Sequence, residues 1–346
     1  MRRRPILVRI AVGVAVFLAG YAVFWHLAAR TLADGVARWA DERRAEGYRI
    51  SYAPPRIGGF PFALTARLEA PAIVAPGDGW RWSGPAIAGS ARPWAPLSIE
   101  LSFPGRHDLN WRDGDRRRAV TAEAETAEGR LDLPADHRLG RTDFAFEFAG
   151  LALGQPGREP VRIGRAAVRG SLPPAGVATA PDGALRYDIA IDRLSLPADP
   201  PPPLGREIAR VEAAGLLQGG IPRGPLPGAL AAWRDLGGTL EVLRFALDWG
   251  PLGLAGDGTF ALDGELQPIA AMSATLRGHG ETIDALVESG LVRPREGSFA
   301  KIVLAALSRR GAGDGRPEIA VALTAQDGHL YVGPVRLLPL PKIRWE

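Results

Sequence analysis

Cysteine is absent from the 346-residue sequence, and its absence removes several kinds of chemistry at once. Without a thiol, the chain has no disulfide framework, no cysteine nucleophile and no thiolate metal ligand. Histidine is also scarce: the five histidines are scattered, and no two stand at the spacing of metal ligands. The sequence has no G-x-S-x-G elbow, no H-E-x-x-H pair and no phosphate-binding loop. We therefore predict that the protein is not an enzyme, and we expect no cofactor.

Lysine is nearly absent as well, since Lys301 and Lys342 are the only two and every other strongly basic side chain is arginine. The calculated pI of 9.8 and net charge of +4 come from this composition. The four arginines before residue 10 account for the whole net charge, so the rest of the chain is close to neutral. Basic and acidic residues alternate there without forming a basic stripe, which argues against nucleic acid as a partner.

The longest apolar stretch is Ile10–Ala29, twenty residues without a formally charged side chain. As a helix it is about 30 Å long, the thickness of a bilayer core. Its arginine-rich N-terminal side predicts a cytoplasmic N-terminus. We expect a single-pass signal-anchor in the inner membrane, with the bulk of the chain in the periplasm of the cell envelope. A cleaved signal peptide is the alternative, although the apolar run is long for one and no small-x-small site precedes Arg30.

Beyond this stretch, helical spacing continues to about Glu46, as a continuation of the same helix or as one that restarts near Asp34-Gly35, and Gly47 predicts its end. A period of two then dominates for nearly two hundred residues, for example in Phe144-Phe146-Phe148. Asp-Gly pairs recur, mostly between such runs, and they favour tight hairpins. We therefore predict a mainly β (α+β) fold, with an N-terminal transmembrane helix and a long, curved antiparallel sheet or sheets.

The proline run within residues 197–203 predicts a stiff surface connection. We take it as the boundary within the exported body. The predicted parts are a cytoplasmic tip and anchor (1–30), an N-terminal β-rich part (31–196) and a C-terminal part with two short helices (204–346). The predicted helices near the C-terminus are Glu281–Ser289 and a second one capped by Ser298. A further short helix is predicted at Gly228–Leu236.

Several landmarks, in order along nearly the whole chain, resemble one known family. They are Gly58-Gly59-Phe60-Pro61-Phe62, Trp80-Arg81-Trp82, Pro93-Trp94-Ala95-Pro96, Trp249-Gly250-Pro251-Leu252 and the segment 327–334. The family is the alphaproteobacterial envelope family called domain of unknown function 2125 (DUF2125). The resemblance implies an inner-membrane anchor and a β-rich periplasmic body. Because no activity has been assigned to the family, no catalytic residue can be carried over from it. More loosely, the long sheet is similar to AsmA-like lipid-handling proteins, which is an analogy of fold alone.

Five aromatic residues are candidate contacts with a ligand or the membrane: Phe60, Phe62, Trp80, Trp82 and Trp94. Phe60 and Phe62 flank a proline after two glycines. The alternation of the following strand predicts a core position for Phe62. Phe60 has the same parity, but Pro61 and the preceding glycines interrupt the strand and free its direction, so we predict that Phe60 is exposed. Trp80 and Trp82 are two residues apart, so in a strand they share a face. Packing in the core is the alternative for all five.

Two functions follow from these observations. The first is a non-enzymatic, membrane-anchored protein that binds a lipid or another apolar ligand along the curved sheet. The second is a structural protein that docks an envelope partner through a packed β body. An open apolar trough favours the first, and a filled interior favours the second.

Overall fold

The structure, a computed structural model, describes residues 4–114, 116–136, 140–174, 184–222, 226–310, 317–333 and 335–345. The fold is mainly β, and the strand pairings are antiparallel, as the sequence predicts. The chain divides into two compact units. Unit 1 contains residues 1–119 and 128–132, and unit 2 contains residues 120–127 and 133–346.

A single helix, α1 (Arg4–Ala45), opens unit 1, so the apolar stretch and the helical spacing beyond it form one continuous element. The helix ends where predicted. The N–H of Tyr48 donates to the carbonyl of Arg43 at 3.1 Å, and that of Gly47 to the carbonyl of Arg44 at 2.9 Å. This pair of bonds is the Schellman arrangement, and it requires the left-handed φ of 91° that Gly47 adopts without a Cβ clash.

The strands of the first part of the chain are short. They are β1 (Arg49–Ser51), β2 (Arg56–Gly58), β3 (Leu64–Glu69), β4 (Ala72–Val74), β5 (Trp80–Ser83), β6 (Ala86–Arg92), β7 (Ala95–Ser102), β8 (Arg106–Asp113), β9 (Arg116–Glu123) and β10 (Thr126–Asp132), with a 3₁₀ turn at Pro76–Asp78. In unit 1, one run of pairings is β2–β3–β6–β7–β10. A second run is β1–β4–β5–β8.

Unit 2 is built from longer strands that pair mostly in chain order. They are β11 (Thr142–Gly154), β12 (Val161–Leu172), β13 (Leu185–Ser195), β14 (Glu207–Gln218), β15 (Thr239–Trp249), β16 (Leu252–Leu262), β17 (Pro268–Arg277), β18 (Arg309–Arg310), β19 (Pro317–Gln326), β20 (His329–Val332) and β21 (Val335–Pro339). The end of β9 pairs with β11, and β19 pairs with β17, β18 and β20.

The two faces of the unit 2 sheet differ in chemistry, because side chains alternate along each strand. One cross-strand row on the apolar face is Phe146, Val168, Ile189, Ala213, Phe245, Gly256, Ala274 and Val321. Apart from Ala274, these residues are only partly buried. The other face carries ion pairs between strands, such as Arg210–Asp248 at 2.8 Å and Arg244–Asp188 at 3.2 Å. The apolar face therefore retains accessible surface.

An irregularity crosses four strands of this sheet at matching positions. The regular pairings skip Gly150, Gly164, Arg193 and Ala209, which lie on β11, β12, β13 and β14. Gly150 and Arg193 have φ values of 58° and 53°. In the three pairings between these strands one residue is skipped on both strands, so the register is the same on either side. Between β14 and β15 the register shifts at Ala209. Along the sequence, the apolar positions change parity across the skipped residue, for example from Phe148 to Leu151 on β11.

Three short helices follow the predictions, with one correction. They are α2 (Leu226–Asp235), α3 (His279–Glu288) and α4 (Pro294–Leu307). The prediction that Ser298 caps the last helix is wrong. The helix begins at Pro294, and the Ser298 hydroxyl lies one turn inside it, donating to the carbonyl of Pro294 at 3.0 Å. Serine side chains bond to a preceding carbonyl in this way within helices.

The proline-rich segment predicted as a boundary lies within unit 2, where it joins β13 to β14. A hydrogen bond joins its two ends: the backbone N–H of Leu196 donates to the carbonyl of Arg206 at 2.8 Å. Predicted Asp-Gly turns join β8 to β9, β16 to β17 and β19 to β20. The pair at 257–258 lies inside β16, and those at 182–183 and 314–315 lie outside the described residues.

Candidate functional site

The first half of α1 is apolar and exposed, whereas its second half packs on the strands of unit 1. Val12–Ala45 is the part of the described chain that is long and apolar enough, by length and composition, to cross a membrane. Its apolar side chains up to Leu27 are largely exposed; Phe17 is 71% exposed and Val16 67%. Trp25 is the exception, at 6%. Near Trp25 the helix therefore changes from an exposed apolar segment to one that packs against the sheet.

A turn at residues 59–63 fastens the sheet to α1 at this point. The indole Nε1 of Trp25 donates to the carbonyl of Ala63 at 2.9 Å, and the Tyr21 hydroxyl donates to the carbonyl of Pro61. The Phe60 ring meets the Trp25 ring edge-on, with centroids 5.6 Å apart. Gly59 permits the turn, because its φ is 96° and a Cβ there would lie 2.7 Å from the Ala63 oxygen.

Directly beside this turn, α1 and the sheet line a partly open apolar cavity of about 250 Å³. The helix contributes Phe24, Trp25, Ala28, Leu32 and Val36; the strands β3, β6 and β7 and their turns contribute Leu64, Ala66, Leu68, Ile87, Gly89, Ser90, Ala91, Arg92, Pro93, Pro96, Ile99 and Leu101. The only polar side chains in this lining are those of Ser90 and Arg92. We call this space the helix–sheet cavity.

The cavity exists because small residues face one another across the strands. Ala66 of β3 pairs with Gly89 of β6, and Leu64 pairs with Ala91. Gly89 in turn pairs with Leu101 of β7. The alternation of β3 directs Leu64, Ala66 and Leu68 to one face, as the sequence predicts. Because that face carries alanine and glycine at its centre, α1 packs over it without filling the space.

Three of the five predicted aromatic residues lie at one end of this sheet. Phe60, Phe62 and Trp94 are 52%, 74% and 66% exposed. Phe60 and Phe62 precede β3, and Trp94 follows β6. Because Leu64 at the start of β3 pairs with Ala91 near the end of β6, the two turns share an end of the sheet. We call this end, with its turns at 59–63 and 93–95, the aromatic end.

The prediction that Phe62 lies in the core is wrong, whereas Phe60 is exposed as predicted. Phe62 belongs to the turn, since β3 starts only at Leu64, and the strand alternation therefore does not govern its direction. Although exposed, Phe60 has ring contacts with both Tyr21 and Trp25. Sequence reasoning missed Tyr21 and Trp25 as partners of this turn.

Trp80 and Trp82 lie elsewhere, on β5 in the second run of strands. They share a face, as predicted, and Trp80 of β5 lies opposite Trp111 of the neighbouring strand β8. The Trp82 ring stacks on His107 with centroids 5.7 Å apart and an interplanar angle of 10°. Trp80 is 37% exposed and lies 6.2 Å, between ring centroids, from Tyr48. These contacts are those of packed side chains, so the structure does not bring the pair to the aromatic end.

Polar clusters in the described residues form surface ion pairs. The Arg169 and Arg165 guanidinium groups lower the pKa of Glu147. A hydrogen bond from Ser98 does the same for the pKa of Asp132. A more polar cavity of about 730 Å³ in unit 2 is lined partly by Arg277, His279 and Glu281. No group of three potential metal ligands occurs within the described ranges.

Comparison with protein families gives a match over most of the chain. The family model described as "Uncharacterized protein conserved in bacteria (DUF2125)" matches residues 25–341. The match begins at Trp25, the residue that docks α1 on the sheet. Neither the curated proteins nor the solved structures contain a match to the chain.

Proposed function

The chain belongs to the DUF2125 family, and we propose that this member is a non-enzymatic, inner-membrane-anchored periplasmic protein that binds lipid or another apolar ligand. The observation that carries the proposal is the helix–sheet cavity, an apolar space directly beside the exposed apolar half of α1. A cavity in this position would take up a lipid acyl chain most readily, because the bilayer around α1 supplies one.

Charge placement on α1 supports the anchor and its orientation. Arg9 and Arg30 bound the apolar stretch, and the twenty-one residues from one to the other rise about 31 Å, close to the thickness of the hydrocarbon core. The N-terminal side carries the cluster of arginines, which favours a cytoplasmic N-terminus. Trp25 lies between one and two turns before Arg30, near the level where aromatic rings settle at the membrane interface.

The lining of the cavity favours an apolar occupant over water. Buried water needs two to four polar partners, and apolar cavities stay dry and take up apolar molecules. The backbone of the lining strands is already paired within the sheet, and Ser90 and Arg92 are the only polar side chains. Each methylene group moved from water into such a space gains about 0.8 kcal/mol. Arg92 suits an anionic head group at the rim.

The half-buried apolar face of unit 2 adds to the argument. An entirely packed interior would leave rows of large side chains fully buried. Phe146, Ile189 and Phe245 instead remain partly exposed. A protein that holds apolar ligands along its sheet has a use for such a surface.

A second candidate function, docking of an envelope protein, is favoured by the helical hairpin of α3 and α4. Lys301 and Asp284 hold the two helices together, with N–O distances of 2.8 and 2.9 Å. On the same hairpin, Phe299 and Ile302 are each 70% exposed. Exposed apolar residues three apart on a helix form a face that a protein partner could cover.

The experiment that tests lipid binding fills the cavity. In Gly89→Val the new Cβ meets its nearest atom, Leu101 Cδ2, at an ordinary 3.5 Å, and the added methyl groups occupy the cavity. The full chain is reconstituted with lipids that carry a photoreactive acyl chain, and cross-links are mapped on peptides from β6 and β7. We expect labelling of these peptides in the natural sequence and an at least fivefold loss in Gly89→Val.

Gly253→Val is the matched control, because a Cβ at this strand position in unit 2 also meets its nearest atom at 3.5 Å. It should leave the labelling of β6 and β7 unchanged. Labelling that is absent from these peptides in the natural sequence, or equal in Gly89→Val, would contradict the proposal. Docking through the hairpin would instead be supported by loss of a co-purifying envelope protein in Phe299→Ser.

A further inference from the structure

We propose that the aromatic end of unit 1 is immersed in the same bilayer that holds α1, so that the body is attached to the membrane at a second place. This inference rests on the proposed anchor but not on ligand binding in the cavity. It concerns the turns at 59–63 and 93–95, with their exposed rings Phe60, Phe62 and Trp94. Leu97, 41% exposed, extends the apolar surface onto β7.

The position along α1 sets the depth of the first turn. Its carbonyls are bonded to Tyr21 and Trp25, which precede Arg30 by nine and five residues. At the rise of an α-helix these side chains lie about 13 Å and about 8 Å below the level of Arg30. If the apolar stretch between Arg9 and Arg30 spans the bilayer, the turn is carried below the charged boundary. The neighbouring turn at 93–95 is at the same end of the sheet.

Three backbone carbonyls of the first turn have partners within the protein. The Gly59 carbonyl accepts from the N–H of Ala63 at 2.8 Å. The carbonyls of Pro61 and Ala63 accept from the side chains of Tyr21 and Trp25. Proline contributes no N–H that would need a partner. Non-helical backbone at membrane depth is tolerated only where its polar groups are satisfied by protein, and these three carbonyls meet that condition.

One charge at this end also matches a lipid surface. Arg92 is exposed at the end of β6, next to the turn that carries Trp94. It pairs with no carboxylate among the residues that the structure describes, whereas many arginines elsewhere do, such as Arg210 with Asp248. A long arginine side chain beside an immersed turn can extend to the interface and bind lipid phosphate with its guanidinium group. Apolar rings with an adjacent arginine favour a membrane over a protein partner as the occupant.

The absence of cysteine makes a direct test simple, because single cysteines can be introduced without background labelling. Phe62→Cys and Trp94→Cys are each labelled with an environment-sensitive nitrobenzoxadiazole probe. The full chain is reconstituted into phosphatidylglycerol–phosphatidylethanolamine vesicles with or without lipids that carry a spin label on the acyl chain. We expect quenching at both positions to exceed that at the control position at least twofold.

Ala53→Cys is the control, because Ala53 is exposed and its N–H donates to Glu69 at the opposite end of β3. That end is about 20 Å away for a strand of six residues. Phe17→Cys reports on the anchor itself. Immersion would be overturned if the probe at position 17 is quenched but the probes at positions 62 and 94 are quenched no more than the probe at position 53. Quenching at only one of the two turns would also overturn it. No quenching at position 17 would refute the anchor and this inference with it.

Discussion

Substituting Trp25 by phenylalanine isolates the hydrogen bond that fastens α1 to the sheet. Phenylalanine retains a ring against Phe60 but leaves the Ala63 carbonyl without the donor that lies 2.9 Å away. Trp25 is 6% exposed, so little water can replace the donor. An unsatisfied buried acceptor costs about 1–3 kcal/mol. We therefore expect Trp25→Phe to lower the free energy of opening of unit 1 by that amount.

Amide hydrogen exchange of the reconstituted full chain measures this loss locally. A change of about 1–3 kcal/mol speeds exchange of the β3 and β6 amides roughly 5- to 150-fold. Strands of unit 2, such as β12, serve as the internal reference and should exchange at their natural rate. Trp25→Ala also removes the ring, and it should cost about 3–5 kcal/mol.

Trp39→Phe provides the matched control, because Trp39 lies on the same helix and is 46% exposed. A surface substitution of this kind should change stability by less than about 0.5 kcal/mol. The reasoning fails if β3 exchanges equally fast in the natural chain, Trp25→Phe and Trp25→Ala. Equal acceleration by Trp39→Phe would show that the effect belongs to the helix rather than to the bond.

Three further predictions concern single positions. Phe60→Ala should destabilise unit 1 by about 1–3 kcal/mol because it loses two ring contacts, whereas Phe62→Ala should destabilise it by less than about 1 kcal/mol. Equal losses of stability in thermal melting would contradict this order. The arginine partners of Glu147 lower the pKa of its carboxyl group. The stability that this ion pair adds is therefore complete above the ordinary glutamate pKa of 4.5 and is lost as the pH falls below that value. Glu147→Gln should therefore reduce unfolding free energy at neutral pH but not in strong acid, and the same deficit at both pH values would refute the ion-pair argument. A Cβ at Gly215 would lie 1.9 Å from a carbonyl oxygen of β15, so Gly215→Ala should lower the free energy of unfolding by about 1–3 kcal/mol or more. Gly264→Ala is the control, because a Cβ there would have nothing within 4 Å, and it should leave chemical unfolding unchanged.

Much of the fold could be predicted because its signals are local. The apolar stretch, the helical spacing after it and Gly47 together predict a helix that ends where α1 ends. Alternation along β11 and its neighbours predicts strands with one apolar face. Both signals depend on residues within a few positions of one another, which is why single-chain patterns capture them.

The row of skipped residues on β11 to β14 shows what local signals do not reveal. On each of four strands the alternation shifts by one residue, which the sequence displays but does not explain. That Gly150, Gly164, Arg193 and Ala209 lie opposite one another is a matter of register between strands. Register depends on partners far along the chain, so the alignment of the four shifts becomes visible only in the structure.

The aromatic end was predicted only in part for the same reason. Phe60 and Phe62 were recognised as candidates because proline and glycine interrupt the strand beside them. Their surroundings depend on Tyr21 and Trp25, which lie about forty residues earlier in the chain. Without those contacts, extending the alternation of β3 backwards placed Phe62 in the core. The two glycines before Phe60 were the available sign that the strand pattern should not be extended.

The continuity of α1 has a mechanical consequence. No break separates the apolar half of the helix from the half that packs on unit 1, so the two move as one rod. From Arg30 to Ala45 this rod projects about 23 Å. A change in bilayer thickness alters the tilt of a spanning helix, and in a rod without a hinge the same angular change reaches the far end. If the apolar half of α1 spans a bilayer as proposed, the orientation of the strands of unit 1 therefore changes with the thickness of that bilayer.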